Sequence, residues 1–199
     1  MKKLIILLLS TCFLFSCNDD DDDCNCSDPA GPPTPAVGEI VITEIMFNPS
    51  AVSDLDGEWF ELFNISSSQS YDLTGLLIDS NNDEPVAISE ELIIGPNEFI
   101  VLGRNSLAAE NGGILLDYEY SGINLANQED AIYLKNGNTV IDSVFYDQSF
   151  TTQVGASLNL DVNFLGASAN DNPFNWCPSS SQLASGDFGT PRNVSEECP

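Results

Sequence analysis

The chain has 199 residues, of which 31 are Asp or Glu and five are Lys or Arg, and it contains no histidine. A surface of that charge repels phosphate backbones, and a few scattered cations cannot form the basic stripe that nucleic-acid binding needs, so no nucleic acid is expected as a partner. The missing histidine removes the commonest general base, the commonest transition-metal ligand and every Ser-His or Cys-His nucleophile pair, and most familiar hydrolase mechanisms go with it.

The first stretch, "MKKLIILLLSTCFLFSC", carries a positive start at Lys2 and Lys3, an apolar run from Leu4 to Phe15, and the small residue Ser16 before Cys17. That is the layout of a secretion signal over residues 1–16. The run is shorter than the ~20 residues a membrane-crossing helix needs. The segment Leu14-Phe15-Ser16-Cys17 resembles the lipobox of bacterial lipoproteins, which implies that Cys17 receives the lipid and that the membrane is a partner. Each buried acyl CH₂ would add about 0.8 kcal/mol of anchoring. Residues 17–36 read as a tether. Like charges at Asp19 to Asp23 extend the chain, and Pro29, Pro32, Pro33 and Pro35 favour extended conformations. An acidic block after the cysteine also resembles the surface-export signal of some Gram-negative lipoproteins; a plain solvated linker explains it equally well. Once residues 1–16 are removed, the cations left are Arg104, Lys135 and Arg192, and the formal charge is −28.

Residues 37–199, about 160, suit one domain. Short β-branched and aromatic runs alternate with turn chemistry, and no stretch keeps a 3.6-residue period long enough for a substantial helix. The predicted strands are "EIVITEIMF", "EWFELFN", "LTGLLID", "EFIVLG", "AIYLKN", "TVIDSVFY" and "ASLNL", separated by "DLDG", "SNNDEP", "GPNE", "ENGG" and "KNGN". Asn136-Gly137 predicts a type I′ hairpin. Seven strands at this spacing imply an antiparallel β-sandwich. Trp59, Phe60, Leu62 and Phe63 make one run apolar on both faces, which places it centrally. Trp59 and Trp176 are expected to pack; a sugar platform is the functional alternative.

A bond between Cys177 and Cys198 would close a loop of about 20 residues, worth roughly 3 kcal/mol on the loop-entropy account, and this disulfide is expected in an oxidising compartment. Cys24 and Cys26 have no evident partner, and a lone C-x-C lacks the two further soft ligands that zinc would want.

Two acidic turns are calcium candidates: Asp54, Asp56 and Glu58 in "SDLDGEWFE", and Asp79, Asn81 and Asp83 in "DSNNDE", with Glu90 twelfth from Asp79. The second lacks the turn glycine of an EF-hand, and Asx-rich turns also arise simply because their side chains cap local amides. An enzyme reading would rest on a glycosidase-like pair among Glu44, Glu58 and Glu61. Glu58 and Glu61, three apart in a strand, point to opposite faces. The glycosylation acceptor patterns at Asn64 and Asn193 are incidental matches.

The segments "GEIVITEIMFNPS", "DGEWFELFNISSSQSYDLTGLLI", "LIIGPNEFIVL", "NLANQEDAIYLKNGNTVIDSVFYD", "GASLNL" and the tail "NW…GDFGTPRN", in that order, resemble the lamin-tail domain in the form common in secreted and surface proteins of bacteria. The resemblance spans about Val37 to Val194 and implies an immunoglobulin-like β-sandwich. Its members are mostly non-enzymatic modules, used in nuclear lamins for protein and nucleic-acid contacts and in bacteria often attached to extracellular hydrolases. One departure is Arg192, where the tail motif usually has glycine. The expectation is a lipid-anchored module of the cell envelope, surface-exposed on the outer membrane, that binds or scaffolds a surface protein or glycan without catalysis. Alternatives are a calcium-stabilised envelope component and a carboxylate hydrolase.

Overall fold

The computed structural model describes residues 31–199; the signal segment, Cys17, Cys24, Cys26 and the aspartate run lie outside the described residues. In chain order the elements are β1 (Ile40–Met46), the single turn α1 (Asp54–Gly57), β2 (Trp59–Asn64), β3 (Tyr71–Asp72), β4 (Leu77–Ser80), β5 (Val86–Ala87), β6 (Ile93–Ile94), β7 (Phe99–Gly103), β8 (Tyr118–Glu119), β9 (Asp130–Asn136), β10 (Thr139–Tyr146), β11 (Leu158–Leu160) and β12 (Trp176–Pro178). Two 3₁₀ turns, Val162–Phe164 and Pro173–Asn175, precede β12.

The strands form an immunoglobulin-like β-sandwich. One sheet runs β12-β11-β1-β2-β7-β8, the other β10-β9-β4-β5, and β3 with β6 makes a small ribbon. Pairing is antiparallel except for β7 with β8. Each of the seven predicted runs overlaps one of the strands, and β2 lies in the interior of its sheet. The strands that the pattern did not suggest, β3, β5, β6, β8 and β12, are two or three residues long, too short for a period of two to register.

Alternation fills the space between the sheets. Phe60 and Leu62 from β2, Ile100 and Leu102 from β7, and Ile132 and Leu134 from β9 are all buried in the main core. Burying one such side chain is worth about 1.5–3 kcal/mol, so the sheet–sheet interface is the principal stabilising feature. Trp59 and Trp176 are buried packing residues, and the Trp176 indole donates to the Asn170 carbonyl at 2.8 Å.

Two local readings change. The hairpin between β9 and β10 pairs Asn136 with Thr139, so its central residues are Gly137 and Asn138. Only Gly137 has a positive φ, 56°. Type I′ needs positive φ at both central positions, whereas a glycine in the first position matches type II′. The domain also begins before residue 37. The Pro33 carbonyl accepts from the Asp72 amide at 3.0 Å, and Pro35 is buried.

A β-bulge in β1 determines which of its side chains reach the outer face. The register with β2 shifts between Ile42 and Glu44. Ile42 pairs with core-facing Leu62 and Ile45 with core-facing Phe60, so the extra residue, Thr43, reverses the alternation. Without it Glu44 would point into the apolar core. With it, Glu44 and Met46 lie on the outer face of the six-stranded sheet, beside Glu61 and Trp59.

Candidate functional site

That outer face is covered by the end of the chain. After β12, residues 179–198 cross it as a strap, returning to a disulfide between Cys177 and Cys198 with Cα atoms 5.8 Å apart. Leu183 packs on a small apolar cluster of Met46, Trp59, Val101 and Ile114. The strap's centre is bound by two carboxylates that are fully buried, Glu44 on β1 and its register partner Glu61 on β2.

Glu44 accepts from the Ser157 hydroxyl, from the Thr190 amide at 2.7 Å, and from the Thr190 hydroxyl at 2.8 Å. Glu61 accepts from the Thr43 hydroxyl at 2.8 Å and from the Arg192 amide at 2.6 Å. The Arg192 guanidinium turns outward to Asp117 at 2.7 Å. The other ion pairs of the described residues are Arg104 with Glu58 and Lys135 with Asp79, so no cation faces the buried pair.

Two carboxylates side by side without a counter-charge cannot both ionise cheaply. Burial pushes Glu44 up to about 7 despite its three donors, and the charge of Glu196 adds to the push. Burial, and then the charge of Glu44, holds Glu61 well above the usual carboxylate range. Glu61, with fewer donors, is the better seat for a retained proton.

Arg192 has φ 65°, in the left-handed region where glycine is the ordinary occupant. The strap thus keeps the turn that glycine would make. The hydrogen bond its backbone amide donates to Glu61 and its ion pair with Asp117 hold an arginine in that conformation.

The other predicted site residues are dispersed. In α1, Asp54 accepts from the Asn127 side chain at 3.0 Å, and Asp56 from the Ser53 hydroxyl at 2.6 Å and the Asn105 side chain at 3.0 Å. Glu58 turns inward, where it meets Arg104 at 3.1 Å and the Leu125 amide at 3.0 Å. Asp79 pairs with Lys135 at 2.9 Å, Asn81 accepts from the Tyr133 hydroxyl at 3.1 Å, and Asp83 holds the Asn124 amide at 2.7 Å. Among the described residues no group of three or more His, Cys, Asp or Glu side chains is gathered as metal ligands. The calcium candidates Asp54, Asp56 and Glu58, and Asp79, Asn81 and Asp83, are dispersed in this structure: their side chains accept from amides and hydroxyls and close ion pairs. The acids the structure does bring together are Glu44 and Glu61, with Glu58 on the opposite side of β2. Asn64 is fully buried and its amide donates to the Gln69 and Gly95 carbonyls, so the first acceptor pattern is inaccessible.

Another buried acid, Asp142 on β10, accepts from the Ile42 amide and the Asn170 side chain, both at 2.7 Å, and so joins the two sheets at one corner. Burial pushes it up to about 7. The sequence offered no pointer to Ser157, Thr190 or Asp142. The one available signal was an acid inside an otherwise apolar strand run, at Glu44 and Glu61, which costs too much unless something polar covers it.

The family model of the lamin tail domain matches residues 33–148. The chain belongs to the lamin tail domain family. A search of curated proteins found no match. The matched segment ends just after β10, so this lamin tail domain carries both buried carboxylates within it, whereas Ser157, Thr190 and Arg192 come from beyond it.

Proposed function

We propose that this lamin tail domain is a lipid-anchored, non-enzymatic binding or scaffolding module of the cell envelope, of the bacterial lipoprotein type, held by Cys17 and contacting a surface protein or glycan. The observation that carries the binding reading is the contrast between the two outer faces of the sandwich. The strap closes the face of the six-stranded sheet and seals Glu44 and Glu61 beneath it, a poor arrangement for an acid and base pair that must reach substrate.

Among the described residues no comparable strap crosses the outer face of the four-stranded sheet. Ile78, Ile132, Leu134, Val144 and Tyr146 are buried, so their strand neighbours Leu77, Asp79, Tyr133, Lys135, Ser143 and Phe145 point the other way. Phe145 is 52% exposed, and Tyr133 lies diagonally from it across the β9–β10 pair. Aromatic faces flanked by hydroxyl, amide and paired charged groups supply both stacking and hydrogen bonding. The charge of the chain favours neutral or cationic partners over polyanions.

Two measurements test this. Intact-mass analysis of the expressed protein, wild type and Cys17→Ala, reads the anchor; an unmodified Cys17 in a soluble species overturns it. Binding of the purified domain to neutral polysaccharides and to defined envelope proteins is then compared with Phe145→Ala and Tyr133→Ala. Weakened binding with unchanged melting supports the face, and unchanged binding removes it.

A further inference from the structure

The strap is bound through groups whose hydrogen bonding depends on protonation, and this holds whatever the domain binds. Five donors meet four carboxylate oxygens at Glu44 and Glu61, and two of those donors are strap amides, those of Thr190 and Arg192. The charged groups facing the pair are Glu196 from the strap and Asp117 from the segment before β8, both acidic. The Arg192 guanidinium is directed at Asp117. Every further charge near the site therefore opposes a second ionisation. Beneath the strap lies the apolar strip of Met46, Trp59 and Val101, and its far end is fixed by the disulfide.

We propose that the strap is a pH-gated latch: a proton kept by the Glu44–Glu61 pair holds it shut, and release of that proton to solvent loosens residues 188–195 while the disulfide keeps the loop closed. In the closed form the pair binds a proton that a solvated pair would release near the ordinary carboxylate range. Opening therefore releases one proton, and the opening equilibrium rises about tenfold per pH unit until the closed form has itself lost the proton. Burial raises both groups, with Glu44 at about 7, so the window runs from near pH 5 to pH 7 and beyond. The total change is on the order of a hundredfold over two pH units. The Glu44 and Glu61 side chains, freed of the strap, gain water, and the Met46–Trp59–Val101 strip becomes accessible.

The test is amide hydrogen exchange on the full domain with its disulfide intact. Rates at Thr190 and Arg192, corrected for the intrinsic pH dependence of exchange, are compared with those at core amides of Ile132 and Leu134. The strap amides should open about tenfold more per pH unit between pH 5 and 7, relative to the core. In the double variant Glu44→Gln/Glu61→Gln, whose carboxamides can still accept from the Thr190 and Arg192 amides and bond the neighbouring hydroxyls, that rise should vanish. A flat wild-type profile, or the same rise in the double variant, overturns the latch. Should that variant fail to fold, the carboxyl ¹³C titration of Glu61 in the wild type decides alone: a midpoint in the ordinary carboxylate range overturns the latch, and a midpoint well above it that coincides with strap opening supports it.

Discussion

Most domains lose stability toward acid, whereas this one should lose it toward base. Asp142 shows why. It is buried, accepts from the Ile42 amide and the Asn170 side chain, and has no cation beside it. Burial raises it from 3.8 to about 7. A folded-state value above the unfolded one means that the native state binds the proton more tightly. The stabilisation is complete below the unfolded value and is lost as pH rises through the folded one. Three pH units at 1.36 kcal/mol each give on the order of 4 kcal/mol as an upper limit for this one side chain. Glu44, raised from 4.5 to about 7, adds a contribution of the same order and sign. In a domain of this size ~1 kcal/mol moves Tm by about 2–4 °C, so raising the pH from 5 to 8 at fixed ionic strength should lower Tm by roughly 10 °C or more. Calorimetry at the two pH values reads it, and Asp142→Asn should flatten the slope in part, with buried Glu44, Glu58 and Glu61, each raised by burial, carrying the rest. A Tm at pH 8 equal to or above that at pH 5 would refute the assignment of uncompensated buried carboxylates.

Three further outcomes rest on particular contacts. Replacing both Cys177 and Cys198 with serine removes a cross-link spanning 21 positions and should cost about 3 kcal/mol, read as a lower urea midpoint; a loss under ~1 kcal/mol would mean that the strap is held by its hydrogen bonds alone. Gly57→Ala would drive a methyl group into the Val52 and Pro49 side chains and should destabilise by about 1–3 kcal/mol, with unchanged stability showing that the α1 turn has room to move. Because Asp54, Asp56, Asp79 and Asp83 are engaged with amides, amines and hydroxyls, millimolar calcium should leave Tm where an equal ionic strength of sodium chloride leaves it. A rise of several degrees specific to calcium would show that one of these turns rearranges around the ion.

The architecture was legible because strand signals are local: short β-branched and aromatic runs such as "EWFELFN" and "TVIDSVFY", bounded by turn residues, mark strands whatever they pack against. The candidate carboxylates were legible as residues but not as a pair. Glu44 and Glu61 are neighbours only because β1 and β2 pair in one register, and Glu44 escapes the core only because of the bulge at Thr43. A one-residue shift of phase sends every later side chain to the other face, and no run of residue types announces it. Spacing sets Asp79, Asn81 and Asp83 at alternate positions, and only the fold gives each its own partner, among them Lys135 on β9 and Asn124 in a loop far along the chain.

The sequence by itself determined that this is an all-β domain of extreme negative charge, with no histidine chemistry, because composition and strand period need no partner to be read. Only the tertiary structure decided that the last twenty or so residues close one face of the sandwich over two buried acids. That outcome depends on contacts between segments more than a hundred residues apart, Glu44 with Thr190 and Glu61 with Arg192, and such contacts exist only once the sheets have formed.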